Sequence, residues 1–297
     1  MLGRLRAGRL SVLPRRRIEV DTDLRMRVDE LERTIRSDRH AGLTPLCVVG
    51  NIGTVNTGTI DPLDDLVRVA RREGVWLHLD GAFGAFAYLL PELRPLVSAM
   101  NRADSIVFDL HKWFGMPFDA SCLLTRDPHV LESAFSVGSP YTSKTDRGPA
   151  ASAISFADRG VEQSRPFRAL KVWFSLQALG VEAFEASMRA NLEQIRHLDE
   201  RVTASPELEV VSRSQLNILC FRYVGRGVDP SRLNDINQSL LGRLQSSGVA
   251  VPSHTIIDDR FVIRVADNNH RTTCADFDVL VDSVIALGDT IVSEESG

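Results

Sequence analysis

A single lysine, Lys112, is the residue in this sequence whose position most favours covalent chemistry. Lys112 follows His111 at the end of the apolar run from Ser105 to Leu110, and small and aromatic residues come after it. Desolvation at the end of a buried strand disfavours the charged form of a lysine side chain. The neutral amine is then able to act as a nucleophile or to form a Schiff base. The alternative is an ordinary surface lysine between a strand and a loop.

A carboxylate and a polar loop follow two earlier apolar runs. Asp80 comes directly after residues 75–79, and a loop rich in glycine, threonine and asparagine follows residues 45–49. Ligands of parallel sheets bind where the carboxyl ends of the strands meet. The sequence therefore predicts that this loop, Asp80 and Lys112 lie together at one edge of a sheet.

The periodicity of apolar residues predicts the elements that position these side chains. Short apolar runs typical of strands lie at residues 45–49, 75–79, 105–110 and 121–125. Segments with helical spacing separate the first three of them, and this alternation predicts an α/β domain with a mostly parallel sheet. Further strands and helices of a small α+β domain are predicted at residues 208–211, 218–223, 231–246, 261–265 and 274–292.

Three parts of the chain are expected from these patterns. Residues 1–164 form the large domain, residues 165–204 form two connecting helices, and residues 205–297 form the small domain. Two local predictions concern the large domain. A short strand is predicted from Arg17 to Val20. Asp61 is predicted to cap a helix whose first residue is Pro62.

The composition excludes several classes of protein. The net charge of -4 gives no reason to expect nucleic acid or an anionic membrane as a partner. No apolar run approaches the length that spans a bilayer. The four cysteines are scattered without a Cys-x-x-Cys pair, which argues against a zinc site or a disulfide framework and favours a cytoplasmic protein.

Five separated motifs resemble those of the group II amino acid decarboxylases, which depend on pyridoxal 5'-phosphate (PLP). In chain order they are GTVNTGTIDPLDDL, HLDGAFG, ADSIVFDLHKWFGMPFDAS, SRPFRALKVWFSL and HTIIDDRFVIRVADNNHRTT. The resemblance implies the fold type I of PLP-dependent transferases, similar to aspartate aminotransferase. It also implies decarboxylation of an L-amino acid to the amine and carbon dioxide. Trp113 after the lysine favours an aromatic substrate within this resemblance.

The resemblance also implies roles for individual residues. Lys112 would form the Schiff base with PLP, and Asp80 would face the pyridine nitrogen. The remaining residues of the implied cofactor site are Ala82 against the ring, His111 near the phosphate and substrate, Thr57 in the polar loop, and Asp109. Thr54 competes with Thr57 for its role, and many relatives carry asparagine in place of Asp109.

Two more residues match the family pattern. Tyr141 matches a tyrosine on a mobile loop that protonates the substrate carbon after decarboxylation. Relatives with phenylalanine there tend towards oxidative, aldehyde-forming chemistry, so the tyrosine favours an amine product. Arg168 matches an arginine whose expected role is structural, through a buried ion pair.

The clearest departure from the family pattern is at the start of the chain. The N-terminal segment of the family, with its loop around the PLP phosphate and its ring-stacking histidine, has no counterpart in this sequence. We therefore expect a truncated or split enzyme, or an inactive fragment that acts by associating with another chain. The full-length parent is expected to be a homodimer, and its substrate is expected to be an amino acid, a small molecule. The aldehyde-forming relative remains a third alternative.

Overall fold

A computed structural model describes residues 13–136, 147, 156–162 and 164–294 of the chain. Its strands are β1 (Cys47–Asn51), β2 (Trp76–Asp80), β3 (Ser105–Asp109), β4 (Ser121–Thr125), β5 (Leu208–Arg213), β6 (Ile218–Tyr223), β7 (Ser253–Ile257) and β8 (Arg260–Ala266). Its α-helices are α1 (Val28–His40), α2 (Leu63–Glu73), α3 (Arg94–Val97), α4 (Val130–Phe135), α5 (Arg168–Ala204), α6 (Leu233–Ser247) and α7 (Cys274–Glu294). Short 3₁₀ helices lie at Ala85–Leu89, Ser98–Arg102, Phe156–Arg159 and Pro230–Arg232.

The first sheet has the order β1-β2-β3-β4. Strands β1, β2 and β3 are parallel, and β4 is antiparallel to β3. The predicted mostly parallel sheet is therefore confirmed, with one antiparallel strand at its edge. Its register pairs Asn51 with Asp80, and Asp80 with Val107. The carboxyl ends of the three parallel strands consequently meet at one edge.

Helix α2 packs directly on one face of this sheet. It buries Leu63, Leu66, Val67 and Ala70 at helical spacing. Gly50 allows the close approach, because a Cβ atom there would lie 2.5 Å from Cδ1 of Leu66. The helix ends at Gly74, whose φ of 61° lies in the left-handed region that glycine adopts without steric cost.

Two local predictions were wrong. Residues 17–20 do not form a strand, since only an isolated bridge between Val20 and Met26 is present. Asp61 does not cap α2, although α2 does begin just after it. Instead its buried carboxylate accepts hydrogen bonds from the backbone N–H groups of Met26 (2.8 Å) and Asn51 (2.7 Å). Asp61 therefore ties the segment before α1 to the end of β1.

The two predicted connecting helices form one element, α5, which is interrupted at Gly180. Gly180 has φ 74° and ψ 165°, outside the helical region, so the helical path bends there. Leu176 before the interruption and Phe184 after it pack against the hydrophobic core that contains the buried residues of α2. Ile195 and Leu198, further along α5, belong to a second hydrophobic core, which is formed with β5, β6, β8, α6 and α7.

The second sheet has the order β5-β6-β8-β7, with all neighbours antiparallel. Helices α6 and α7 pack against it around buried residues such as Phe221, Leu240 and Val284. The predicted small α+β domain is confirmed. Strand β7 was not predicted, because its sequence SHTII has polar residues at three of its five positions. No helix in the described residues is long and apolar enough to cross a membrane.

Candidate active site

Lys112 lies in the turn that follows β3 and is paired with a carboxylate. Its Nζ atom lies 2.8 Å from Oδ2 of Asp109. The turn itself is held by a hydrogen bond from the backbone N–H of Lys112 to the carbonyl of Asp109. The lysine side chain is 41% exposed. The expectation of a deeply desolvated amine at a strand end is therefore wrong, since Lys112 sits beyond the strand and has a counter-ion.

Asp109 is the more buried member of the pair, with 13% of its side chain exposed. Its Oδ1 also accepts a hydrogen bond from the Ser121 hydroxyl at 2.5 Å. Burial works to raise the pKa of Asp109, but the hydrogen bonds from Lys112 and Ser121 and the nearby positive charge outweigh it and lower the pKa overall. The carboxylate is thus ionised at neutral pH. Ser121 was not singled out from the sequence. Its contact with Asp109 follows from the strand register, which places the two residues opposite each other on β3 and β4.

His111 is oriented by the loop that leads into β4. The backbone N–H of Ala120 donates to Nδ1 of His111 at 3.1 Å, and the ring of Phe118 packs edge-on at a centroid distance of 4.7 Å. The carbonyl oxygen of Ala120 also lies 3.0 Å from Nδ1, so Ala120 holds this edge of the ring in either tautomer. Nε2 of His111 lies 3.9 Å from Oδ2 of Asp109. His111 and Lys112 therefore face the same carboxylate.

Asp80 ends β2 on the same face of the sheet as Asp109. Asp80 is in register with Val107, and residues two apart on a strand share a face. Oδ1 of Asp80 accepts a hydrogen bond from the backbone N–H of Ala82 at 3.0 Å. The carbonyl of Ala82 in turn accepts from the N–H of Asp109 at 3.2 Å. Ala82 thereby links the two strand ends that carry the carboxylates.

The polar loop is anchored beside Asp80, but its threonines bond mainly to one another. The N–H of Ile52 donates to the carbonyl of Asp80 at 2.8 Å. The hydroxyl of Thr57 lies 2.9 Å from that of Thr54 and 2.8 Å from that of Thr59. Within the described residues, no hydrogen bond joins Thr57 to Asp80 or to the lysine. The choice between Thr57 and Thr54 as a cofactor contact stays open.

Arg168 at the start of α5 joins two segments near the site. Its Nε donates to Asp119 at 2.9 Å and its Nη1 to Glu162 at 3.0 Å. The predicted ion pairing is present, but it is not buried, since 30% of the Arg168 side chain is exposed. Tyr141 lies outside the described residues.

The donor set fits an aldehyde cofactor with a basic ring nitrogen. An amine beside its counter-ion offers the nucleophile, and a carboxylate at the neighbouring strand end suits a protonated pyridine nitrogen. Together with an α/β sheet, a long bent helix and a small α+β domain, these residues are the features that the resemblance to the PLP-dependent decarboxylases predicts.

Comparison with known proteins identifies the family. The family described as "Pyridoxal-dependent decarboxylase conserved domain" matches residues 5–224. An aromatic-L-amino-acid decarboxylase of Bacillus atrophaeus is 34% identical over 276 residues, which are 93% of this chain and 57% of that protein. The chain therefore belongs to the pyridoxal-dependent decarboxylase family, as its motifs predict, and the predicted cofactor, PLP, is the one this family uses.

Solved structures agree with this assignment. The Rhodiola rosea 4-hydroxyphenylacetaldehyde synthase superposes with a TM-score of 0.85 at 28% identity, covering 96% of this chain and 59% of its own. The Oryza sativa TDC with PLP and tryptamine gives a TM-score of 0.86 at 26% identity, covering 93% and 57%. The predicted fold type I is confirmed. The chain spans between 57% and 59% of the length of each relative named here.

Proposed function

We propose that this chain carries the lysine side of the active site of a PLP-dependent decarboxylase, which converts an L-amino acid to its amine and carbon dioxide. The observation that carries this proposal is the position of Lys112 and Asp109 beside Asp80 at the carboxyl edge of the sheet. Family membership supports the same reaction class.

The residues that would hold the cofactor follow from the site. Lys112 would bind its aldehyde carbon as a Schiff base, and Asp80 would hydrogen-bond to its ring nitrogen. Ala82 would lie against the ring, and His111, Asp109 and either Thr57 or Thr54 would border it. When bound, PLP supplies an electron sink for the pair of electrons left behind as carbon dioxide departs.

Each protein group contributes through charge or orientation. The negative charge of Asp80 would favour a proton on the ring nitrogen. Asp109 orients the amine of Lys112, and the contacts of Nδ1 with the backbone of Ala120 fix the orientation of the His111 ring. Tyr141 would then deliver a proton to the substrate carbon.

An aromatic substrate is supported by the relatives rather than by a shaped pocket. The relatives named above act on or are complexed with aromatic compounds, as their names state. Trp113 itself is buried, and its ring stacks on Phe83 at 6.0 Å. Trp113 is thus a core residue in this structure and makes no direct case for substrate contact.

The decisive test is cofactor uptake by the purified chain. Addition of PLP should produce the yellow absorbance of a lysine-bound cofactor, and Lys112→Ala should abolish it. A chain that never develops this absorbance contradicts the proposal and favours an inactive fragment.

The aldehyde-forming reaction is the second candidate, because the Rhodiola rosea relative is an aldehyde synthase. Both reactions release carbon dioxide, and product analysis separates them. Decarboxylation leaves the amine, whereas the oxidative reaction consumes oxygen and water and releases the aldehyde, ammonia and hydrogen peroxide. Tyr141 favours the amine. Tyr141→Phe should shift the product towards aldehyde if this residue supplies the proton.

A further inference from the structure

Residues 118–121 lead from the segment after Lys112 into β4, and we call them the 118–121 loop. The ring of Phe118 packs edge-on against the His111 ring at a centroid distance of 4.7 Å. Both backbone groups of Ala120 contact Nδ1 of that ring, the N–H at 3.1 Å and the carbonyl oxygen at 3.0 Å. The position of the His111 ring therefore depends on the position of this loop.

The same loop also contacts the strand end that carries Asp109. The N–H of Leu110 donates to the carbonyl of Ala120 at 2.8 Å, and the hydroxyl of Ser121 donates to the Asp109 carboxylate. That carboxylate is the counter-ion of Lys112. A shift of the loop would consequently displace both the histidine ring and the partner of the lysine.

Apolar burial contributes little to holding the 118–121 loop in place. Phe118 is 84% exposed and the side chain of Asp119 is 46% exposed, whereas Ala120 is buried but has only a methyl group. The free energy of burial scales with the apolar area removed from water, so these residues supply little of it. Polar contacts must therefore hold the loop.

Asp119 makes such a polar contact with a distant segment. Its Oδ2 accepts a hydrogen bond at 2.9 Å from Nε of Arg168, which lies 49 residues further along the chain at the start of α5. This hydrogen bond is the main cause that lowers the pKa of Asp119, so the carboxylate is ionised at neutral pH. Hydrogen bonds between two ionised groups are stronger than those between neutral groups.

Arg168 binds a second carboxylate through different nitrogen atoms. Its Nη1 and Nη2 lie 3.0 and 3.4 Å from the two oxygens of Glu162, whereas its Nε bonds to Asp119. One guanidinium holds both carboxylates at once because its donors are spread around a rigid plane. The two ion pairs can therefore be removed separately, and the pair with Asp119 is the one that leads to the 118–121 loop.

We propose that Arg168 is a positioning residue of the candidate active site. By anchoring Asp119 it fixes the 118–121 loop, and this loop in turn fixes the His111 ring and the Asp109 carboxylate. The consequence for decarboxylation rests on the proposed function, whereas the link from Arg168 to His111 does not. Arg168 thus does more than attach the start of α5 to its neighbours.

The first test measures how firmly the His111 ring is held in the 297-residue chain without PLP. The readout is the rate at which diethyl pyrocarbonate modifies His111, mapped by mass spectrometry, with the exposed His270 of the small domain as the internal reference. In the wild type His111 should react slowly, because its side chain is 13% exposed and its Nδ1 is engaged. Asp119→Asn and Arg168→Ala should each raise the His111 rate about fivefold, since each removes the hydrogen bond that anchors the loop, and should leave the His270 rate unchanged.

Glu162→Gln is the matched control. It weakens the other ion pair of Arg168 and leaves the hydrogen bond from Nε to Asp119, so the His111 rate should stay within about twofold of the wild type. The double variant with Asp119→Asn and Arg168→Ala should react no faster than either single variant, because both changes break the same link. Asp119→Asn replaces a half-exposed side chain by a nearly isosteric one, and an unchanged melting temperature shows that it is folded.

The second test applies to the chain with bound PLP. Asp119→Asn should retain the absorbance of the bound cofactor, because Lys112 is intact. Its kcat for decarboxylation should fall about tenfold with KM nearly unchanged, since a small displacement of the groups around the reacting atoms slows the chemical step. Glu162→Gln should keep the kcat of the wild type.

Three outcomes overturn the proposal. They are an unchanged His111 rate in Arg168→Ala, an equal rise of this rate in Glu162→Gln and Asp119→Asn, and an unchanged kcat in Asp119→Asn. Absence of cofactor uptake by the wild type contradicts the proposed function instead. The modification of His111 requires no PLP, so it decides the link from Arg168 to His111 in that case as well.

Discussion

The Nζ atom of Lys112 and the Oδ2 atom of Asp109 lie 2.8 Å apart, on one turn that leaves the third strand of the sheet. Ser121, directly opposite on β4, donates to the other oxygen of the same carboxylate. Asp109 thus receives two hydrogen bonds from side chains of two different segments. The pair sets both the position of the lysine and the charge of its surroundings before any cofactor arrives.

Removal of the Asp109 charge should destabilise the fold only where that carboxylate is ionised. Because the folded state lowers the pKa of Asp109 below 3.8, the ion pair stabilises the protein above that pH, and this contribution is lost as the pH falls through the lowered pKa. We expect Asp109→Asn to lower the free energy of unfolding by about 1 kcal/mol at neutral pH, since Lys112 is partly exposed. Urea unfolding across acidic and neutral pH checks this. If the difference in unfolding free energy between the wild type and Asp109→Asn does not shrink in acid, the stabilising role of the ionised Asp109 is contradicted.

Reductive trapping of bound PLP should identify a single lysine as its attachment site. The chain contains Lys112, Lys144 and Lys171 and no other lysine. Borohydride reduction after addition of PLP should leave the pyridoxyl group on the peptide that carries Lys112. Lys171→Arg serves as the matched control and should leave this result unchanged, whereas Lys112→Arg should remove it. Equal modification of all three lysines shows non-specific reaction.

Asp80→Asn should separate cofactor binding from turnover. The amide is nearly isosteric but does not hold a proton on the ring nitrogen, so decarboxylation should fall by about 10²-fold or more. Uptake of PLP, followed by absorbance, should persist because Lys112 is intact. If Asp80→Asn loses both the PLP absorbance and the decarboxylation activity, Asp80 has a structural role through its hydrogen bond to Ala82.

A glycine pair tests the packing of the sheet. Gly50→Ala places a methyl group 2.5 Å from Leu66 and 3.1 Å from Leu79, and this overpacking should cost about 1–3 kcal/mol. Gly242→Ala in helix α6 meets nothing within 4 Å and should stabilise by about 0.4–1 kcal/mol. Thermal unfolding of both variants checks the opposite signs. Similar shifts for the two variants contradict the close contact of α2 with β1.

The local pattern of apolar residues was sufficient to predict most strands and helices of the fold. The strands that carry Asp80 and Asp109 were predicted because continuous apolar runs bounded by loop residues indicate buried strands. Helix α2 was predicted from its apolar periodicity and ended as expected at Gly74. Strand β7 escaped prediction because its polar residues give no apolar run, and it is held by pairing with β8.

Side-chain partners were less predictable than elements. Asp61 has the residue type and position of a helix cap, yet its carboxylate bonds to Met26 and Asn51, which lie 35 and 10 residues away in the chain. The hydroxyl of Thr57 is engaged by two other threonines. A carboxylate or hydroxyl takes the donor that folding brings closest, and several donors satisfy it about equally well.

The sequence by itself determined the alternation of strands and helices, the edge at which Lys112, Asp80 and the polar loop meet, and membership of the pyridoxal-dependent decarboxylases. These depend on local periodicity and on motifs in a fixed order. Only the tertiary structure decided that Lys112 is paired with Asp109 and that Asp61 links the segment before α1 to the end of β1. Each of these depends on which distant segments come within a few ångströms, and the pattern of residue types along the chain does not encode that proximity.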